Sequence, residues 1–169
     1  AGRAGHDMEA LAYYNPEKRL LISGDALWEN GFGVIFPELL GEADGLLSTR
    51  ATLEMLARLP IDIVIPGHGS PFAAVDAVFE RAFRRVDSFA ANMDKLAWHA
   101  IKVIVSFAMM ERRQLPVKDF PNFLHQLPFA VDVNQRYIGL SDDELAARVL
   151  RELLLVNALR RDGGNLLAG

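Results

Sequence analysis

The sequence predicts an α/β fold built from two regions of different texture. Residues 1–72 alternate short β-like runs with glycine and proline, whereas residues 73–169 have mostly helical apolar patterns. The chain has 169 residues, 51% of them hydrophobic, which is enough for one domain or one and a half around an apolar core. We therefore predict a domain boundary after residue 72, followed by a helical extension.

Composition excludes several classes of function. The formal net charge of −4 gives no overall attraction to nucleic acid or to an anionic membrane. The lack of cysteine excludes disulfides and thiolate metal sites, and it fits a reducing cytoplasm. The first ten residues have no signal-peptide core, and no apolar run is long enough for a bilayer. We expect a cytoplasmic protein without nucleic-acid or membrane partners.

The first region begins with a predicted β-hairpin. The apolar run Met8–Tyr14 ends at Asn15-Pro16, which is a turn signal. Arg19–Ser23 then supplies the second strand, with three consecutive aliphatic residues at its centre. This pattern predicts one strand out and one strand back.

The rest of the first region predicts a loop, a helix and a strand. Ala26–Glu42 contains scattered glycine, proline and aromatic residues and is predicted to be a long loop. Ser48 or Thr49 would cap a helix that runs to about Leu59. Ile61–Ile65 is β-branched, lies between prolines and predicts a short strand.

The second region predicts helices closed by a hairpin. Residues 73 to about 113 would form one very long helix or two, with a break near residues 92–96. Ser141 would cap an amphipathic helix whose acidic first turn suits the helix dipole. Asp162-Gly163-Gly164 then predicts a hairpin turn. Helices followed by a terminal hairpin indicate a winged-helix-like extension.

Three residues with metal-ligand chemistry lie at predicted strand ends or beside glycines. His6 stands in Gly-His-Asp, Asp25 follows a predicted strand in Ser-Gly-Asp-Ala-Leu, and His68 stands in Pro-Gly-His-Gly. Strand ends carry side chains into the loop layer, where α/β proteins keep their sites. Two imidazoles and a carboxylate suit zinc, and also iron or manganese. Each signal is weak alone, and the joint pattern carries the hypothesis.

That joint pattern resembles the metallo-β-lactamase superfamily over residues 5–70. The helical extension makes the glyoxalase-II-like branch the most similar. The resemblance implies the C-terminal half of an αββα sandwich and a hydrolase of esters, thioesters or lactones. It also implies that His6 binds one of two zinc ions, that Asp25 bridges both, and that His68 binds the second. Asp25 would also be catalytic, because it would set the metal separation and orient a metal-bound hydroxide.

The family's His-x-His-x-Asp-His motif is missing from this sequence, whose histidines stand at positions 6, 68, 99 and 125. The chain also opens inside a motif and lacks an initiating Met, so we expect a fragment whose other half belongs to the parent chain. Alone, it should be inactive, with an empty or weakly filled site. The alternative is a non-catalytic interaction or regulatory module with a degenerate metal site.

A half sandwich should expose an apolar sheet face. We expect the missing N-terminal half to cover that face, or self-association to do so.

Other residues near the three ligands leave two interpretations open. Trp28 and Asn30 follow Asp25 and would either wall the pocket of a small-molecule substrate or fill the core beneath the loop. Asp7 would orient an imidazole or would simply be solvated. His99 and His125 are interpreted as structural residues.

A charged cluster lies on the first predicted helix of the second region: Glu80, Arg81, Arg84 and Arg85. A solvated face with Glu80–Arg84 pairing explains it. Contact with an anionic substrate tail is the competing interpretation.

Overall fold

The structure is a computed structural model that describes residues 11–42 and 44–169. The chain divides into two compact units, Ala1–Met93 and Asp94–Gly169. Each unit is mixed in secondary structure, which confirms the predicted α/β class. The predicted boundary after residue 72 concerns the family segment and stays a prediction; the compact units divide after Met93 because the helix that ends at Ala91 packs within the first unit.

The first unit contains a three-stranded sheet. Strands β1 (Tyr13–Asn15) and β2 (Leu20–Gly24) pair antiparallel, as in the predicted hairpin. Strand β1 is shorter than the predicted run Met8–Tyr14, because residues 11–12 precede it and residues 8–10 lie outside the described residues. Strand β3 (Ile63–Pro66) pairs with β2 in parallel and completes the order β1-β2-β3. Because β2 and β3 are parallel, their carboxyl ends lie at the same edge of the sheet.

The two faces of this sheet differ in burial. Leu21 and Val64 are register partners on one face, and both are 0% exposed. Ile22 and Ile65 are partners on the opposite face, and they are 44% and 37% exposed. One face therefore belongs to the core of the unit, whereas the other presents apolar side chains outward, as expected from the sequence.

Two helices complete the first unit. Helix α1 (Gly45–Ala57) packs against helix α2 (Val75–Ala91). The predicted start at Ser48 or Thr49 is wrong, because the helix begins after Asp44, whose φ of 85° ends the preceding turn. The long loop is correct except for one 3₁₀ turn, Pro37–Leu40, whose Glu38 carboxylate accepts a hydrogen bond from Leu46 N at the start of α1.

The second unit begins with helix α3 (Met93–Arg112). The predicted break between two long helices falls at Asn92, whose extended backbone (φ −153°, ψ 98°) interrupts the helical path without glycine or proline. Strand β4 (Gln114–Pro116) follows α3 directly.

The remaining elements are short helices, one longer helix and a terminal hairpin; the winged-helix-like character of this extension stays a prediction. Helices α4 (Phe120–His125), α5 (Pro128–Val133) and α6 (Asp142–Leu155) precede the hairpin of β5 (Leu159–Asp162) and β6 (Asn165–Ala168). The hairpin joins β4 in an antiparallel sheet of order β4-β6-β5. The predicted terminal hairpin is therefore confirmed.

A polar network joins α3 to α6. Glu152 accepts hydrogen bonds from Trp98 Nε1 at 2.6 Å and from Lys102 Nζ at 2.9 Å. Partial burial raises the pKa of Glu152, but these donors outweigh it, so the net shift of the pKa is downward. The carboxylate stays charged and ties the two helices together.

Within the part of the chain that the structure describes, no helix has the length and apolar character needed to cross a membrane.

Candidate metal centre

Asp25 and His68 lie together at the carboxyl edge of the first sheet. Asp25 directly follows β2, and His68 lies two residues beyond β3. Asp25 Oδ1 and His68 Nε2 are 3.7 Å apart, with side chains 30% and 65% exposed. A carboxylate oxygen and an imidazole nitrogen at this separation can reach one ion between them. The parallel pairing of β2 with β3 produces this proximity.

Gly67 allows the two strand ends to approach. Its backbone N–H donates to the Gly24 carbonyl oxygen at 2.8 Å. A Cβ atom at position 67 would stand 2.9 Å from Asp25 Oδ1 and 3.1 Å from the Gly24 carbonyl carbon and oxygen. These distances are shorter than ordinary carbon contacts, so a side chain at position 67 would require the Asp25 carboxylate or the Gly24 backbone to shift.

A short turn fixes the backbone of Asp25. Ala26 N donates to the Ser23 carbonyl oxygen at 3.0 Å, and Gly33 N donates to the Asp25 carbonyl oxygen at 2.8 Å. The buried hydroxyl of Ser23 donates to the Leu27 carbonyl oxygen at 2.6 Å. The sequence analysis did not single out Ser23, since a serine inside a strand carries no distinctive signal.

Trp28 lies beside His68. The rings meet edge to face with centroids 5.1 Å apart and planes at 82°. Trp28 Nε1 donates to the Gly24 carbonyl oxygen at 3.1 Å, so the indole spans the strand end. Asn30 is exposed, and its backbone carbonyl accepts a hydrogen bond from Arg85. A substrate role for Trp28 or Asn30 stays a prediction.

The third predicted ligand, His6, lies outside the described residues, as does Asp7. Among residues 11–42 and 44–169, no group of three or more His, Cys, Asp or Glu is placed to hold a metal. Of the other histidines, His99 lies on α3, and His125 pairs with Asp142 at 3.1 Å on an exposed surface. The described part of the chain therefore brings two predicted ligands together. Their donor types, a carboxylate and an imidazole, fit a zinc-like ion.

The family model of the metallo-beta-lactamase superfamily matches residues 5–68. Residues 5–68 are therefore similar to the metallo-β-lactamase superfamily. Its members are generally metal-dependent hydrolases and typically bind metal ions such as zinc. Asp25 and His68 both fall within the matched segment. The glyoxalase-II-like branch stays a prediction.

Solved structures of the superfamily are similar to this chain at low identity. A metallo-beta-lactamase family protein from Thermus thermophilus is 18% identical, with a TM-score of 0.43, over 99% of this chain and 48% of its own. A beta-lactamase domain protein from Burkholderia ambifaria is 19% identical, with a TM-score of 0.40, over 98% of this chain and 45% of its own. The chain thus spans about half the length of either structure. No curated protein matches it.

Two arginines of the charged cluster on α2 have hydrogen-bond partners that the sequence did not predict. The i,i+4 pair Glu80–Arg84 is confirmed, with a 3.4 Å contact between exposed side chains. Arg81 and Arg85 do more than form a solvated face, because both donate to backbone carbonyls of the loop that carries Trp28. A backbone carbonyl as partner leaves no trace in a sequence pattern, so this role could not be predicted.

Proposed function

We propose that Asp25 and His68, with His6, form part of the metal centre of a hydrolase that acts on an ester, thioester or lactone. The observation that carries the proposal is the 3.7 Å approach of Asp25 Oδ1 to His68 Nε2 at one sheet edge. The superfamily match over residues 5–68 supports it. Because the sequence resembles the glyoxalase-II-like branch, thioesters are the first substrate class to test.

Each residue of the site has a distinct part in this proposal. A bound zinc ion supplies Lewis acidity, which lowers the pKa of water towards neutrality and polarises a carbonyl. Asp25 provides a carboxylate with two oxygens, which suits a bridging position between two ions. His68 provides a terminal imidazole whose orientation is limited by the neighbouring Trp28 ring. The Trp28 indole gives the site an apolar wall against which the acyl part of a substrate can rest.

Zinc titration of the metal-free chain tests the ligand assignment. Asp25→Asn and His68→Ala should each weaken zinc binding at least about tenfold, because a lost ligand costs no less than a lost outer partner. Isothermal titration calorimetry measures the affinity, and elemental analysis measures the zinc retained after gel filtration. Turnover of a thioester or lactone by the zinc-treated chain alone should be negligible, because His6, Asp25 and His68 would be divided between two ions and leave each ion with only two of its ligands.

The chain offers a matched control in a second histidine–carboxylate pair. His125 and Asp142 are 3.1 Å apart and exposed, so His125→Ala removes an imidazole of similar environment away from the site. Zinc affinity should be unchanged by His125→Ala. Equal zinc affinity in the unsubstituted chain, His68→Ala and Asp25→Asn would refute the ligand assignment. Thioester turnover at a normal enzymatic rate would refute the expectation that this chain is inactive alone.

A further inference from the structure

The loop after Asp25 contains a tight turn, which we define as residues 28–31 and name the Trp28 turn. Its base is closed by two backbone hydrogen bonds, Trp28 N to Gly31 O at 2.7 Å and Gly31 N to Trp28 O at 3.2 Å. This closure leaves the carbonyl groups of Glu29 and Asn30 at the tip, directed away from the base. Carbonyl groups in such a position need partners from water or from another element.

Helix α2 supplies those partners through two arginines one helical turn apart. Arg81 donates to the Glu29 carbonyl oxygen through Nη2 at 2.9 Å and Nε at 3.3 Å. Arg85 donates to the Asn30 carbonyl oxygen through Nη1 at 3.0 Å. Each tip carbonyl therefore has its own guanidinium, and charged donors of this kind form stronger hydrogen bonds than neutral ones.

Aromatic packing holds Arg85 in place. Its guanidinium carbon lies 5.6 Å from the centroid of the Phe32 ring and 5.4 Å from that of Phe89. Burial lowers the pKa of Arg85, which agrees with a side chain set deep against the loop. Gly31 completes the fit, because a Cβ there would stand 2.9 Å from Arg85 Nη1 and the φ of 138° also disfavours a side chain.

We infer that Arg81 and Arg85 are positioning residues that anchor the Trp28 turn and thereby hold the Trp28 indole against His68. The chain of contacts is continuous: α2 fixes the tip of the turn, the turn fixes the Trp28 backbone, and the indole contacts the imidazole 5.1 Å away. The link from Trp28 to substrate rests on the proposed function. The link from the arginines to Trp28 does not depend on it.

Fluorine NMR of the full chain labelled with 5-fluorotryptophan tests the anchoring. The protein has two tryptophans, Trp28 and Trp98, and Trp28→Phe assigns the two resonances. In the metal-free chain, Arg81→Met and Arg85→Met should shift or broaden the Trp28 resonance and increase its solvent isotope shift. The Trp98 resonance should not move, because Trp98 belongs to the second unit.

Arg84→Met is the matched control, since Arg84 lies on the same helix and pairs along it with Glu80 at 3.4 Å. It should leave both resonances unchanged. If a methionine variant does not fold, Arg81→Lys is the milder substitution, because it keeps the positive charge but loses the two-donor contact with the Glu29 carbonyl. It should shift the Trp28 resonance in the same direction as Arg81→Met, but by less. A Trp28 resonance that is identical in the unsubstituted chain, Arg81→Lys and Arg81→Met would overturn the inference.

The two proposals can fail separately. If the Trp28 resonance responds to Arg81→Met while zinc affinity is equal in the unsubstituted chain, His68→Ala and Asp25→Asn, the ligand assignment is refuted and the anchoring stays intact. Zinc binding through Asp25 and His68 with an unresponsive Trp28 resonance refutes the anchoring alone. In an active parent protein, Arg81→Met should raise KM more than it lowers kcat, because the indole would contact substrate rather than the reacting atoms.

Discussion

At the scale of single residues, glycine at position 67 is as important for the geometry of the site as the two predicted ligands beside it. Gly67 separates the end of β3 from His68, and its N–H binds Gly24 at the end of β2. The close approach of the two strand ends therefore depends on a residue without a Cβ. Pro-Gly-His-Gly made His68 conspicuous in the sequence, but the reason for glycine became clear only beside the Asp25 carboxylate.

Gly67→Ala should displace the Asp25 carboxylate. The added Cβ would lie 2.9 Å from Oδ1, so either the side chain or the loop must shift. We expect the free energy of unfolding to fall by about 1–3 kcal/mol, as for overpacking elsewhere. We also expect weaker zinc binding in the same titration used for His68→Ala.

Gly164→Ala is the comparison for this substitution, because a Cβ at position 164 meets nothing within 4 Å. It should change neither zinc affinity nor the environment of Trp28. If Gly67→Ala binds zinc as well as Gly164→Ala does, the carboxylate of Asp25 is not a ligand or moves without consequence.

At the scale of elements, helix α6 shows how local signals can define a helix start. Ser141 Oγ accepts from the Glu144 N–H at 3.4 Å, and Ser141 N donates to Glu144 Oε2 at 3.0 Å. This reciprocal arrangement is a capping box, and it satisfies two backbone donors at once. The sequence predicted Ser141 as the cap because all of these partners lie within four residues.

Ser141→Ala should destabilise the second unit by about 1 kcal/mol at neutral pH, the usual cost of a lost N-cap. Hydrogen bonds from the Ser141 hydroxyl and backbone lower the pKa of Glu144 below its ordinary value of 4.5. Because its pKa is lowered, the charged Glu144 carboxylate stabilises the fold fully above pH 4.5, and this stabilisation is lost as the pH falls through the pKa of the folded chain. The stability difference between the parent chain and Ser141→Ala should therefore narrow on acidification.

Urea unfolding followed by Trp98 fluorescence, in a Trp28→Phe background, measures this difference. Glu144→Gln is the companion variant, since it keeps an acceptor oxygen but cannot titrate. The free energy of unfolding of Glu144→Gln should therefore fall less below pH 4.5 than that of the unsubstituted chain. A gap between the parent chain and Ser141→Ala that stays constant from neutral to acidic pH would contradict this account.

At the scale of the whole molecule, the exposed sheet face is the feature with the broadest consequence. Tyr13, Ile22 and Ile65 are successive register partners across the three strands, and they are 63%, 44% and 37% exposed. Ile63 on the same face is 42% exposed. A contiguous apolar face of this kind marks a surface that another protein surface covers. The expectation that a missing N-terminal half or a second copy of this chain covers this face stays a prediction.

The chain alone should therefore associate with itself in a concentration-dependent way, which sedimentation velocity measures. Ile22→Thr combined with Ile65→Thr should shift the distribution towards monomer, because threonine keeps β propensity while reducing apolar surface. Leu47→Gln on α1 removes another exposed aliphatic side chain, 67% exposed, and should have no effect. A parent chain that sediments as a monomer at every concentration would refute self-association.

Local signals in the sequence were sufficient for most of the order of elements, but not for strand β4, which is formed by pairing with the distant β6. The hairpin of β1 and β2, the α2–α3 break, the Ser141 cap and the terminal hairpin were all predicted because their determinants lie within a few residues of each other. The start of α1 was missed because Ser48 and Thr49 offered competing N-cap signals, whereas Asp44, also a common N-cap residue, is left-handed and forms no side-chain capping hydrogen bond. The ligand-type residues Asp25 and His68 were recognised in the same local way, from strand ends and flanking glycines.

Only the tertiary structure decided what those residues do to one another. Asp25 and His68 lie far apart along the chain, and the parallel pairing of β2 with β3 brings their side chains within 3.7 Å. Arg81 and Arg85 were indistinguishable from a solvated charge cluster until their partners, two backbone carbonyls, were placed beside them. The physical reason is common to both cases: long-range pairing and backbone acceptors act through space, and neither depends on a local pattern of side chains.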